Sequence, residues 1–194
     1  MKNFIIRTGI GIGATLVVGC TSITSGGGPT AASDTSTTST RTPRHTDNSG
    51  RPDVTFDPCL DLQDETLSSA GYDPRSETQA DFTPDSYTFL GCSYNTSPRL
   101  YGLNVLSGNI SFAEEQEKVK AFARTTEVNG RQALIKSEAN KPNACAISIE
   151  TPYGVLILDR SVFKGHGDDA PESEWCAGLE DTARVFEPFI PKGD

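Results

Sequence analysis

Five short apolar segments in the later part of the chain have the length and spacing of β-strands. In two of them the apolar side chains alternate with small or polar ones, through Tyr101, Leu103 and Val105 and through Cys145, Ile147 and Ile149. Such alternation is typical of strands that bury one face. The five segments are residues 87–94, 101–105, 133–135, 145–149 and 155–158. Turn signals at 129–130 and 151–154 indicate hairpins between the later strands.

Helical signals flank these strands. Asp57-Pro58 combines a capping residue with a proline suited to the first helical position, and a second short turn follows from Asp64. Ser111 and Glu114 form a capping box. The helix that starts there is predicted to place these residues on one face: Phe112, Val119, Phe122 and Ala123. A last helix is predicted from the helical spacing of Trp175, Cys176, Leu179, Ala183 and Phe186, ending at Pro188.

The order of these elements predicts an α+β fold with a single antiparallel sheet of about five strands. Residues 72–85 carry no strand pattern and are predicted to form a loop. The folded domain is expected to span residues 53–194.

The first 19 residues have the pattern of a lipoprotein signal peptide. Lys2 and Arg7 give a positive start, and an apolar run follows that is too short and too rich in glycine for a stable membrane span. The run ends in Leu16-Val17-Val18-Gly19-Cys20, which matches a bacterial lipobox. We therefore expect acylation of Cys20 with palmitate-type chains, which would anchor the protein on the extracytoplasmic face of the cell membrane. The alternative is an ordinary secreted protein that is cleaved elsewhere.

Residues 20–52 are predicted to form a disordered tether. They are rich in Ser, Thr and Gly, and their apolar residues follow no period, so they cannot bury enough surface to fold. A flexible chain of about 30 residues has a root-mean-square span of roughly 30 Å. The Thr-rich stretch 35–40 is a candidate for glycosylation, although an unmodified spacer explains it equally well.

Charge and cysteine content limit the cell compartments and the classes of partner that we expect. The chain has a net charge of -9, and residues 51–194 alone are near -11, which disfavours nucleic acid as a partner. Beyond Cys20 there are four cysteines and no Cys-x-x-Cys pair, so an exported chain is expected to form two disulfides. Four cysteines allow three connectivities. We favour Cys59–Cys92 and Cys145–Cys176, because each pair would tie a helix to a strand.

Several of these residues also carry a family resemblance. They are Phe56-Asp57-Pro58-Cys59 with Leu60, Leu67 and Gly71; Cys92-Ser93-Tyr94; Gly130-Arg131-Gln132-Ala133; Cys145; and Cys176 with Leu179, Ala183 and Pro191. Together with the lipobox, this pattern resembles the actinobacterial lipoproteins grouped as domain of unknown function 3558, over about residues 53–191. The resemblance implies an envelope lipoprotein with an α+β domain, and it implies no activity.

Catalytic motifs are absent from the sequence. His166, the one histidine of the expected domain, lies in an acidic stretch with Asp168 and Asp169 that is a candidate metal site or, with better reason, a loop leading into a helix. Asp81 and Asp85 are a candidate carboxylate pair. The aromatic residues Tyr72, Tyr101 and Tyr153 are candidates for a ligand surface, although core packing is their more common use.

The sequence thus favours a non-enzymatic, lipid-anchored envelope protein without a cofactor or a metal. Its domain is expected to bind a partner protein or an apolar ligand. Two alternatives stay open: an envelope hydrolase that uses a carboxylate pair or His166, and a structural or assembly lipoprotein.

Overall fold

One antiparallel sheet organises the residues that the structure describes. The computed structural model describes residues 50–84, 86–137, 141–163 and 170–193, and these belong to one unit. Within them the sheet has seven strands in the order β1-β2-β3-β7-β6-β5-β4. The strands are β1 (Asp73–Gln79), β2 (Phe89–Asn95), β3 (Tyr101–Gly108), β4 (Ala123–Val128), β5 (Arg131–Lys136), β6 (Ala144–Thr151) and β7 (Gly154–Val162).

The helices are short. They are α1 (Pro58–Asp61), α2 (Asp64–Ser69), α3 (Phe112–Val119), α4 (Glu172–Trp175) and α5 (Leu179–Phe186), and a 3-10 turn (Glu187–Phe189) follows α5. No helix within the described ranges combines the length and the apolar character that crossing a membrane would require.

The helix starts that the sequence predicts are confirmed. The Asp57 side chain accepts from the Cys59 amide at 3.0 Å and caps α1, and Pro58 follows as its first residue. After α2 the chain leaves through Gly71, which has φ +87°, and the Tyr72 amide donates to the Leu67 carbonyl. This Schellman ending needs a residue that adopts a positive φ without strain, which glycine does. Ser111 and Glu114 form the expected capping box of α3.

Hairpins build the two halves of the sheet, and one long-range pairing joins them. β2 and β3, β4 and β5, and β6 and β7 are antiparallel neighbours in sequence. The halves meet where β3 pairs with β7 over eight residue pairs, from Tyr101↔Val162 to Gly108↔Val155. Asn129 and Gly130 both have positive φ, as the tight turn between β4 and β5 requires.

The expected number of about five strands is too low, since the described residues form seven. The two additional strands, β1 and β4, lie at the two edges of the sheet. Residues 72–85, predicted as loop, contain β1. An edge strand pairs on one side only and exposes much of its surface, so its sequence is polar: β1 reads DPRSETQ and β4 reads ARTTEV. Neither sequence carries the apolar alternation that predicts a strand.

Two helix predictions also need correction. α3 ends at Val119, so Phe122 lies beyond it and Ala123 begins β4 rather than continuing the helical face. The last helix is interrupted, because α4 ends at Trp175 and α5 starts only after Gly178, which has φ +77°. The helical spacing persists across this break because both pieces pack against the same core.

Two disulfides fasten helical segments to strands of the sheet. Cys59 on α1 bonds to Cys92 on β2, and Cys145 on β6 bonds to Cys176 at the end of α4. Their Cα atoms lie 5.3 and 5.2 Å apart, within the usual range for a disulfide. These are the pairs that the sequence favoured.

Candidate functional site

The two faces of the sheet are covered very differently. On one face, which we call the closed face, α1, α2, α4 and α5 pack against the strands. The fully buried side chains of this face include Leu103, Val105, Ile147, Ile149, Leu156 and Leu158. On the other face, which we call the open face, α3 is the helix that packs against β6 and β7. The alternating side chains of β3, β6 and β7 there are half-exposed near the ends of the strands.

Helix α3 covers one end of the open face. Phe89, Ile110 and Val155 are buried there, with Leu106 and Phe112 packed against them. The start of this helix is fixed twice, because Glu114 closes the capping box with Ser111 and also receives both terminal nitrogens of Arg51 at 2.8 Å. The remaining part of the open face carries no helix among the described residues.

A groove of about 280 Å³ lies where the cover by α3 ends, and we call it the α3 groove. Val119 at the end of α3 and Phe122 just beyond the helix, with Leu106 and Ile157 from the sheet, give it an apolar side. Its other lining residues are small, polar or charged: Lys136, Lys141, Ala144, Ala146, Asp159 and Ser161, with Cys145 between the two alanines. The groove is open to solvent and combines apolar with charged surface.

The strand register places a base and an acid in one row across the floor of this groove. Lys136 on β5 pairs with Ala146 on β6, and Ala146 pairs with Asp159 on β7. Strands are spaced by about 4.8 Å, so Lys136 and Asp159 lie about 10 Å apart at their Cα atoms. The residue between them is an alanine, whose methyl group leaves the space above it open. Asn104 on β3 pairs with Asp159 and continues the row.

Each of the two charges is engaged by neighbouring polar side chains. The Lys136 ammonium donates to Glu115 Oε1 at 2.5 Å and to Ser148 Oγ at 2.8 Å. Glu115 projects from α3 and is 5% exposed, and Ser148 is fully buried. On the other side, Asn104 Nδ2 lies 3.5 Å from Asp159 Oδ2, and Ser93 Oγ lies 2.6 Å from Asn104 Oδ1. The contacts of Lys136 are short and hold its ammonium in place, whereas the 3.5 Å contact holds Asp159 weakly.

Of the candidate carboxylate pair from the sequence, Asp81 is the member that the structure describes. Asp81 accepts hydrogen bonds from the Gly91 amide at 2.7 Å and from the Gln79 side chain, so its contacts lie at the edge of the sheet. Asp85 and His166 both lie outside the described residues, as do Asp168 and Asp169. Cys20 and the tether up to residue 49 also lie outside them.

The three candidate tyrosines do not line the groove. Tyr72 and Tyr153 are 5% and 4% exposed, and burial raises the pKa of Tyr153 to about 12. The Tyr153 hydroxyl lies 2.8 Å from the Ser107 hydroxyl. Tyr101 is half-buried with the guanidinium of Arg160 over its ring at 4.4 Å. These tyrosines therefore pack in or against the core, which is the more common use of such residues.

One cluster has the donor atoms of a metal site without being able to act as one. The sulfurs of Cys59 and Cys92 lie near the Glu77 carboxylate, with all three donor atoms within 4.8 Å of one another. The two sulfurs are bonded to each other, so neither is a thiolate, which is the form that binds metals. The Glu77 carboxylate instead lies 3.1 Å from the Tyr94 hydroxyl.

These features define a class: a disulfide-stapled α+β domain with one closed sheet face and one grooved sheet face. The chain belongs to the family described as protein of unknown function (DUF3558), whose model matches residues 15–188. The matched range includes the stretch Leu16–Cys20 as well as the domain. Neither a curated protein nor a solved structure matches the chain.

Proposed function

We propose that this chain is a lipid-anchored protein of the cell envelope whose extracytoplasmic domain is a non-catalytic binding module. Three observations support the compartment: the lipobox before Cys20, the family match that includes it, and two disulfides, which persist in oxidising surroundings. The observation that carries the binding role is the α3 groove on the open face.

The groove favours a small ligand, or one side chain of a partner protein, over a long apolar ligand. Sites for drug-sized molecules usually measure about 300–1,000 Å³ and enclose most of the ligand. The α3 groove measures about 280 Å³ and is open to solvent. Its floor carries Lys136 and Asp159, and covering these charges with hydrocarbon alone would cost their hydration.

The groove lies away from the point where the described chain begins. Arg51 fastens the start of the described chain to Glu114 in the first turn of α3, whereas the groove lies at Val119, the last residue of this helix. Eight helical residues span about 12 Å, so the Arg51 contact and the groove lie at opposite ends of this helix.

The hydrolase alternative finds little support in the described residues. Ser148 and Lys136 have the spacing of a serine–lysine pair, but the Ser148 hydroxyl is fully buried under α3. A nucleophile in that position cannot reach a substrate in the groove. The Lys136–Ser148–Glu115 network is better described as the support of one wall.

Two measurements test this function. Cys20→Ala should move the protein from the membrane fraction to the soluble fraction, and retention in the membrane would contradict the anchor. Native mass spectrometry of protein isolated from its own envelope should show a bound species. That species should be lost in Ala146→Leu, which fills the groove, and kept in Ala113→Leu, the same change at an exposed position of α3. Identical spectra for both variants would contradict a binding role for the groove.

A further inference from the structure

We infer that the α3 groove binds a small zwitterion with an apolar group, such as an amino acid with an apolar side chain or a short apolar peptide. The inference rests on the proposed binding function and names the chemical class of its ligand. It is carried by the row Lys136–Ala146–Asp159, by the way each charge is held, and by the apolar side of the groove.

Lys136 supplies a positioned donor for a carboxylate. An ammonium group has three N–H bonds, and here Glu115 and Ser148 engage two of them. The side chain is 11% exposed and lines the groove. The third donor is the one that a ligand in the groove would engage. A ligand carboxylate that meets this donor forms a charge-assisted hydrogen bond without having to order a mobile lysine.

Asp159 supplies the acceptor for an ammonium group. A carboxylate accepts about four hydrogen bonds, and the contact with Asn104 at 3.5 Å engages one oxygen weakly. The side chain is half-exposed on the groove floor. Because Lys136 is paired with Glu115, the two floor charges do not cancel by pairing with each other. A zwitterion lying over Ala146 presents a partner to both.

The apolar side of the groove determines what else the ligand carries. Leu106, Val119, Phe122 and Ile157 form that side, next to the row of charges. An apolar side chain of the ligand removes this surface from water, at a gain of roughly 25 cal/mol per Å². A polar zwitterion such as glycine would leave it exposed and should bind more weakly.

Titration calorimetry on the full-length protein in detergent tests the inference with four probes. Leucyl-leucine and free leucine have both charges, 4-methylpentanoic acid lacks the ammonium group, and isoamylamine lacks the carboxylate. We expect at least one of the first two to bind, and the single-charge probes to bind at least about tenfold more weakly. Equal affinity for 4-methylpentanoic acid and the zwitterions would overturn the inference.

Two variants locate the binding. Asp159→Asn keeps the shape of the groove and should weaken binding of the zwitterion about tenfold or more. Asp181→Asn, an 82% exposed carboxylate on α5, should leave it unchanged. Circular dichroism confirms that each variant is folded. If none of the four probes binds the folded protein while native mass spectrometry still shows a groove-dependent species, the zwitterion inference fails and the binding function stands. If both fail, the proposed function fails as well.

Discussion

The closed and open faces of the sheet are made by the same strands, yet they follow different rules. On β7, Leu156 and Leu158 point to the closed face and are 0% exposed, whereas Ile157 and Asp159 point to the open face and are half-exposed. The closed face is mainly apolar, with buried Arg160 and Ser107 among its side chains, and is covered by four helices. The open face mixes apolar, small and charged residues and is covered in part by one eight-residue helix. The first face therefore stabilises the fold, and the second leaves room for a site.

Polar groups join helical segments to the sheet on both faces. On the open face, a buried charge pair joins α3 to the sheet, with Lys136 and Glu115 at 11% and 7% side-chain exposure. On the closed face, the core cluster and both disulfides hold the helices, and the Arg131–Glu187 pair, at 16% and 11% side-chain exposure, joins the turn after α5 to the sheet. Well-packed apolar residues often stabilise as well as a buried ion pair does. What distinguishes the Lys136–Glu115 pair from the pair on the closed face is that Lys136 lines the α3 groove.

The largest effect is expected from breaking this pair. Lys136→Met removes the ammonium and leaves the Glu115 carboxylate buried without its counter-charge. Loss of one partner of a buried pair typically costs about 3–5 kcal/mol of unfolding free energy. Urea denaturation of the variant and of the native protein measures this difference.

A double variant is the control for that prediction. Glu115→Gln with Lys136→Met removes both charges and leaves an amide that can still bond to the Ser148 hydroxyl. Most of the lost stability should return. If the double variant is as unstable as Lys136→Met alone, the loss comes from packing of the lysine stem and not from an unpaired charge.

A smaller loss of stability is expected when an isoleucine is replaced by alanine, and the loss should differ between the two faces. Ile147→Ala on the closed face empties a fully buried site and should cost about 2–5 kcal/mol. Ile157→Ala on the open face removes a half-exposed side chain, so it should cost roughly half as much. The denaturation midpoints of the two variants measure the difference. Equal losses would show that the open face is as well covered as the closed one, and the distinction between them would fail.

The sequence predicts the closed face better than the open one, for a physical reason. Burial on one side imposes the alternation through Cys145, Ile147 and Ile149, and the capping residues Asp57 and Ser111 act locally, so both kinds of signal are legible along the chain. The edge strands β1 and β4 lack the first signal because half of their surface meets water. Their pairing depends on neighbouring strands, which the local sequence does not identify.

The groove cannot be predicted from the sequence, because it depends on the register between neighbouring strands. Lys136, Ala146 and Asp159 lie on three different strands and meet only once those strands are aligned. A usable signal does exist: Ala146 and Asp159 each follow a buried residue and precede another in an alternating strand, which assigns them to the less buried face. The pairing of β5, β6 and β7 is what turns that assignment into a row.

The smallest expected effect concerns the clamp at the start of α3, the helix that covers the open face. The Arg51 guanidinium, followed by the Ser111 hydroxyl and amide, holds the pKa of Glu114 well below its ordinary value of 4.5. A carboxyl group with a lowered pKa contributes stability above its unfolded pKa, and this contribution is lost as the pH falls through the folded value. Glu114→Gln keeps the capping box but removes the charge. Because the pair is partly exposed, at 24% and 40%, the loss at pH 7 should stay below about 1 kcal/mol.

Denaturation at pH 7 and in steps below pH 4 measures this loss. The difference from the native protein should shrink as Glu114 is protonated, while exposed Glu127→Gln shows little difference throughout. A difference that stays constant with pH would mean that the clamp works by hydrogen bonding and packing, not by charge.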